Sequence, residues 1–268
     1  MQSDDTLLRP GTGNKTVHTF AHLNRSKRFR AKTGLFAMEG SRLIFDALRS
    51  GVKLRAVLLT EKAQTQFQNG LSAAAPGVRT LLISDALAAE IADTETAQGI
   101  FAVAEMCAEA ADLPKAGDHC LLLHNVQDPS NLGAVLRTAE ALGISGVYLY
   151  RCADLYNPKT LRSSMGALFR VPLRTVSEPA DFLAHCASVS LPSCAAVVDR
   201  DALPLSKFDF SGGAAVLIGN EGNGLPREIS DACAFRLTIP MAPDSNSLNA
   251  AMAAGLFLWE MRRNALPD

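Results

Sequence analysis

From Cys120 to Arg263 the chain alternates short apolar runs with stretches of helical period, and that alternation leaves few folds open. The apolar runs are Cys120–His124, Gly146–Tyr150, a short Phe169–Val171, Cys194–Val198, Ala214–Ile218 and Phe235–Ile239. Between and after them, helices are predicted near Leu132–Leu142, Asn157–Met165, Pro179–Ser188, Leu225–Ala232 and Leu248–Arg263. Strands this apolar, separated by helices, predict a parallel sheet covered on both faces. The loops after the first, fifth and sixth strands then share one sheet edge, where such folds bind ligands. The last loop starts at Pro240, which cannot donate to a sheet ladder, and Asn246 or Ser247 is expected to cap the helix behind it.

At 268 residues the chain is longer than a usual single domain, and 48% hydrophobic residues suffice for two cores. Residues 1–17 are expected to be a disordered tail, 18–107 a small α/β domain, 108–118 a linker and 119–268 the parallel-sheet domain. In the small domain, His18–Lys32 reads as one basic helix with Phe20, Leu23 and Phe29 inward. Strands near 35–38, 54–59, 80–83 and 100–105 follow, with helices near 41–50, 61–67 and 85–92 between them. No apolar run reaches the ~20 residues that span a bilayer, so no membrane partner is expected. The start, Met-Gln-Ser-Asp-Asp, does not resemble a signal peptide. The six cysteines are dispersed without a C-x-x-C pair, which predicts free thiols in a cytoplasmic, reducing setting and no metal site.

A net charge of −1 argues against a uniformly basic nucleic-acid binder, but the charge is unevenly placed. Between Thr6 and Met38 there are seven Lys and Arg residues and no acid. Arg25, Lys27, Arg28 and Arg30 in that stretch are candidate RNA-phosphate contacts, because such contacts need a local patch rather than a global excess. A solvated helix face is the alternative.

Three segments carry a resemblance. Asn131-Leu132-Gly133-Ala134-Val135-Leu136-Arg137-Thr138-Ala139 comes first. Gly219-Asn220-Glu221-Gly222-Asn223-Gly224 is next, and Ile239-Pro240-Met241 through Ser247-Leu248-Asn249 is last. In that order they resemble the motifs of the SpoU (TrmH-type) RNA 2′-O-ribose methyltransferases of the SPOUT superfamily. The match covers about residues 119–263. It implies a C-terminal α/β trefoil-knot domain that uses S-adenosyl-L-methionine and methylates structured RNA, with ribosomal RNA favoured over transfer RNA. Phe36-Ala37-Met38-Glu39-Gly40 and Thr96-Ala97-Gln98-Gly99-Ile100 are similar to the ribosomal-protein-like substrate-binding domain that precedes the catalytic domain in many relatives.

By the same resemblance Asn131, Arg137, Glu221, Ser247 and Asn249 are the catalytic candidates. Gly219, Asn220, Gly224, Ile239, Met241, Ser247 and Leu248 are the cofactor candidates, and Arg162 and Ser164 join the substrate contacts. Arginine stays protonated, so Arg137 is expected to steady an alkoxide or phosphate and not to act as a base; the base is unassigned. A homodimer is expected through helix 248–263 and helix 132–142, since Leu256-Phe257-Leu258-Trp259 is an unbroken apolar run. A nicotinamide-binding fold is disfavoured, because the glycines read G-x-x-G-x-G and not G-x-G-x-x-G. A non-catalytic RNA-binding protein is the rival from another class. It is weakened by the presence of Asn131, Arg137, Glu221 and Asn249 together.

Overall fold

The computed structural model describes residues 13–242 and 245–264, so residues 1–12 of the expected tail lie outside the described residues. The described residues divide into two compact units, one formed by those up to 107 with 156–162, the other by 108–155 with those from 163 onward.

The first unit runs α1 (Lys15–Arg25), α2 (Lys27–Thr33), β1 (Leu35–Glu39), α3 (Ser41–Arg49), β2 (Leu54–Leu59), α4 (Glu61–Ala74), β3 (Thr80–Leu82), α5 (Asp85–Ile91) and β4 (Ile100–Glu105). Its sheet has the order β1-β4-β2-β3, with β2 and β3 parallel and the other neighbours antiparallel. Helix starts well before residue 18, because Asn14 caps α1 through Thr16 N. The single basic helix is two helices broken at Ser26, whose hydroxyl accepts from Phe29 N and starts α2. Phe20 and Leu23 are fully buried, and Phe20 meets Phe101 edge-on at 5.4 Å. Arg30 corrects its predicted role. It is 2% exposed, and its guanidinium donates to the carbonyls of Leu23 and Asn24, so it joins α1 to α2 instead of meeting RNA. Helix α4 runs past the expected end at Phe67 and includes Gly70.

The second unit holds β5 (His119–His124), α6 (Pro129–Ala141), β6 (Gly146–Tyr150), β7 (Leu173–Thr175), α8 (Pro179–Ser188), β8 (Ser193–Ala196), β9 (Leu203–Pro204), β10 (Ala214–Ile218), α9 (Arg227–Ala232), β11 (Phe235–Thr238) and α10 (Ala250–Arg262). The seven strands lie in the order β7-β6-β5-β10-β8-β11-β9, and every pairing is parallel. Central β5 and β10 are buried almost throughout, which is why they read as continuous apolar runs. Phe169–Val171 is not a strand. Ala167–Phe169 is a short 3-10 turn entered through Gly166 at φ 83°, and the strand begins later, at Leu173. β9, two residues on the sheet edge, was too short to read from the sequence. Segment 108–118 contains no helix or strand, yet Ala110 N and Ala111 N donate to Leu173 O and Tyr148 Oη donates to Asp112 O. It is packed on the sheet, not a free linker.

Between β6 and β7, helix α7 (Pro158–Ser164) carries two of the candidate substrate contacts. Ser164 is fully buried, which corrects its predicted contact with RNA. Arg162 is exposed and ion-paired with Asp93.

Candidate active site

Three loops leave the same edge of the seven-stranded sheet: 125–128 after β5, 219–226 after β10, and 239–242 with 245–249 after β11. Local chemistry explains each. Asp128 caps α6 by accepting from Ser130 N, and Pro129 fits the first helical turn, where its missing N–H costs nothing. Asn220 and Gly224 exchange both backbone hydrogen bonds, closing a tight turn. The Asn220 side chain secures that turn by accepting from Gly222 N and Asn223 N. A side chain on Gly219 would place Cβ 2.1 Å from the Gly224 carbonyl carbon, so the turn itself demands glycine there.

Asn249, not Ser247 or Asn246, caps α10. Its Oδ1 accepts from Ala251 N and Met252 N. Its Nδ2 donates to Asn131 Oδ1 at 3.0 Å, and Asn131 Nδ2 donates to Glu221 Oε1 at 3.1 Å. The two amides thus form a chain of one polarity that ends on an acceptor. Glu221 suits that end because an ionised carboxylate only accepts. It also takes Gln127 N (3.1 Å), Asp128 N (3.0 Å) and Asn220 Nδ2 (3.3 Å). Burial raises the Glu221 carboxyl, but the donors from Asp128, Asn131 and Gln127 outweigh it and hold the group below its ordinary value. One carboxylate therefore ties the first loop to the second, and Asn249 ties in the third.

Beside this chain lies a cavity of about 830 Å³. Its wall includes the predicted cofactor residues Gly219, Asn220, Gly224, Ile239, Met241, Ser247 and Leu248, and the catalytic candidate Glu221. Backbone from the glycine turn forms one side, and Ala250, Ala253 and Phe257 of α10 add an apolar side. Asp199 and Arg236 also line the cavity and are ion-paired at 2.6 Å. The sequence analysis did not single them out. The signal available was position alone, since Asp199 follows a strand at the same sheet edge. Arg137 is not brought to the cavity. It is exposed on α6 and makes no ion pair among the described residues. Among those residues no group of three or more His, Cys, Asp or Glu is placed to hold a metal.

In the first unit, the two segments quoted for the substrate-binding resemblance are bonded together. Gln98 Oε1 accepts from Ser41 N and Ser41 Oγ, and Gly40 N donates to Ile100 O. Glu39 accepts from Asp93 N and Thr94 Oγ1 nearby. Arg25, Lys27 and Arg28 are exposed on α1 and α2.

Comparison with known proteins agrees with both units. The SpoU rRNA Methylase family model matches residues 118–259, and the MRM3-like substrate binding domain matches residues 14–102. The chain is 30% identical to the 23S rRNA (guanosine(2553)-2′-O)-methyltransferase RlmP of Bacillus subtilis, covering 93% of this chain and 96% of that protein. It is 33% identical to the 23S rRNA (uridine(2479)-2′-O)-methyltransferase of Streptomyces viridochromogenes, over 91% and 87%. The solved structure of an AdoMet-bound rRNA methyltransferase from Sinorhizobium meliloti superposes with a TM-score of 0.84 at 29% identity, covering 97% of this chain and 98% of that one. With an all-parallel α/β sheet, the three ordered loops and a substrate-binding domain ahead of them, the chain belongs to the SpoU rRNA methylase family of S-adenosylmethionine-dependent RNA 2′-O-methyltransferases.

Proposed function

We propose that this protein transfers a methyl group from S-adenosylmethionine to a ribose 2′-hydroxyl of ribosomal RNA, acting as a homodimer in the cytoplasm. The observation that carries the reading is the Asn249–Asn131–Glu221 chain standing beside the 830 Å³ cavity. When bound, S-adenosylmethionine supplies a methyl group on a sulfonium. The glycine turn and the face of α10 hold it, and Ser247 and Leu248 close the wall at the start of that helix.

A ribose hydroxyl is a weak nucleophile and needs its developing charge steadied. Arg137 offers a fixed fork of donors for that charge or for the adjoining phosphate. Glu221 is occupied by four donors and serves to position Asn131 and the first loop, not to take a proton. Asn131 and Asn249 hold the loops in register. Arg25, Lys27 and Arg28 grip RNA phosphates from the substrate-binding domain.

The dimer reading is supported by the exposed apolar side chains at the start of and along α10. Leu248, Met252, Leu256 and Trp259 recur at spacings of three and four and remain 38–63% exposed in the single chain. Covering them in an interface of roughly 1,200–2,000 Å² would let Arg137 of one subunit enter the pocket of the other, which accounts for its absence from the cavity of its own chain.

The test is direct. Purified protein, labelled cofactor and total RNA from a cell lacking the gene should yield a 2′-O-methylnucleoside by mass spectrometry, mapping to ribosomal RNA. Normal RNA binding without that product would overturn the reading in favour of a non-catalytic binder.

A further inference from the structure

At the end of β6, beside the first loop, the structure holds an arginine that the three motifs do not include. Arg151 follows Tyr150, and its guanidinium carbon sits 4.9 Å from the centre of the Tyr150 ring. Tyr150 is buried and stacks in turn on buried His124 of β5, ring centres 5.0 Å apart. Burial is the largest influence on His124 and holds its imidazole below the ordinary value, so Arg151 is the cation of this three-tier stack.

The backbone fixes the arginine as well. Arg151 adopts φ 50°, a left-handed conformation unusual for a side chain of this size. Gln127 clamps it there. Gln127 Nε2 donates to Arg151 O at 2.6 Å and to Asn125 Oδ1 at 2.8 Å, while Gln127 N donates to Glu221. Arg151 is thus connected through one residue to the carboxylate that orders the site. It is exposed, and no carboxylate pairs with it among the described residues. A surface arginine without such support samples many rotamers and loses that freedom on binding. Here a ring beside the guanidinium and a clamped backbone restrict an exposed arginine that follows β6 at the ligand edge of the sheet.

We propose that Arg151 is a substrate-positioning residue that binds a phosphate of the RNA strand carrying the target ribose. This rests on the RNA methyltransferase reading above. Its chemistry is that of an anionic, doubly accepting group facing a preorganised fork of donors.

The experiment uses full-length protein and an RNA fragment containing the methylated position mapped for the wild type. Arg151→Ala should lower the slope of log affinity against log salt by roughly 0.7–0.9, the share of one phosphate contact. KM for RNA should rise several-fold with kcat, cofactor affinity and melting temperature unchanged. Arg151→Lys should restore the slope, because a lysine still neutralises one phosphate. Tyr150→Leu, with Tyr150→Phe as the control that keeps the ring, should raise KM as Arg151→Ala does. An unchanged salt slope in Arg151→Ala, or a loss of kcat or of cofactor binding in its place, would overturn the assignment while leaving the function intact. A wild type that neither binds nor methylates RNA removes the function and this assignment together.

Discussion

Asn131 donates to Glu221 across 3.1 Å, from the first turn of α6 to the loop behind β10, and this bond joins segments 90 residues apart in the chain. The acceptor belongs to a carboxylate that three other donors also occupy. Replacing it with an amide turns one of those acceptors into a donor facing donors. Glu221→Gln should therefore lower stability by about 2 kcal/mol, the scale of a lost charged hydrogen bond, and cut cofactor affinity and turnover together. Thermal unfolding, calorimetry and a methyl-transfer assay measure the three. A variant of normal stability with only its rate reduced would mean that Glu221 acts on the substrate directly.

The same carboxylate sets a pH dependence. Its pKa is lowered in the folded protein, so its contribution to stability is present above the ordinary value of 4.5 and is lost as pH falls through the lower folded value. The stability gap between wild type and Glu221→Gln should narrow as pH falls from 4.5 through that lower folded value. A gap that is constant with pH would contradict the assignment.

Asn249 has two functions that substitution can separate. Asn249→Ala removes the cap of α10 and should cost about 1 kcal/mol along with activity. Asn249→Asp keeps a capping oxygen but offers no donor to Asn131. Its unfolding temperature should stay near wild type while methyl transfer falls at least tenfold. Full activity in Asn249→Asp would show that only the cap matters.

Arg137 is exposed and unpaired by any acid among the described residues, so Arg137→Ala should change stability by less than about 0.5 kcal/mol. Activity should nonetheless disappear. Mixing Arg137→Ala with Asn249→Ala subunits tests the shared site: recovered activity places Arg137 across a dimer interface, and no recovery with a confirmed mixed dimer places it within its own chain. Sedimentation at micromolar concentration supplies the oligomeric state.

The basic cluster divides in two. Arg25, Lys27 and Arg28 changed to Ala should weaken RNA binding and flatten its salt dependence without loss of stability. Arg30→Ala should instead destabilise the first unit by ~1–3 kcal/mol, because it leaves the carbonyls of Leu23 and Asn24 without their donor. Chemical denaturation of the two variants distinguishes them, and equal stability would remove the structural role given to Arg30.

The strands of the parallel sheet were legible because burial on both faces writes them as apolar runs; β5 and β10 fall within a residue of their predicted ends. The three loops were legible as motifs, and the cavity is lined by Gly219–Gly224 of the second and by Ile239, Met241, Ser247 and Leu248 of the third. What the sequence could not express is which partner each polar side chain takes. Arg30 looks like its neighbours Arg25 and Arg28 until the turn at Ser26 folds it inward. Ser164 reads as a hydroxyl for RNA, and only the packing of α7 buries it. The cap of α10 was misplaced by two or more residues because Ser247, Asn246 and Asn249 can each accept locally; the contact to Asn131, 118 residues away, decides among them. Edge strand β9 is set by its pairing with β11 and has too little sequence to announce itself.

Asn249 begins α10 and completes the polar chain with the same side chain. Among the described residues, helix α10 follows the strands and helices that carry the other two loops. During vectorial synthesis on a ribosome, the loops at 125–128 and 219–226 emerge first and wait, unlatched, for residue 249. A nascent subunit therefore has no assembled site until α10 has nucleated, and a chain truncated within that helix should be inert even if its sheet is sound. Catalytic competence in this protein awaits the translation of α10.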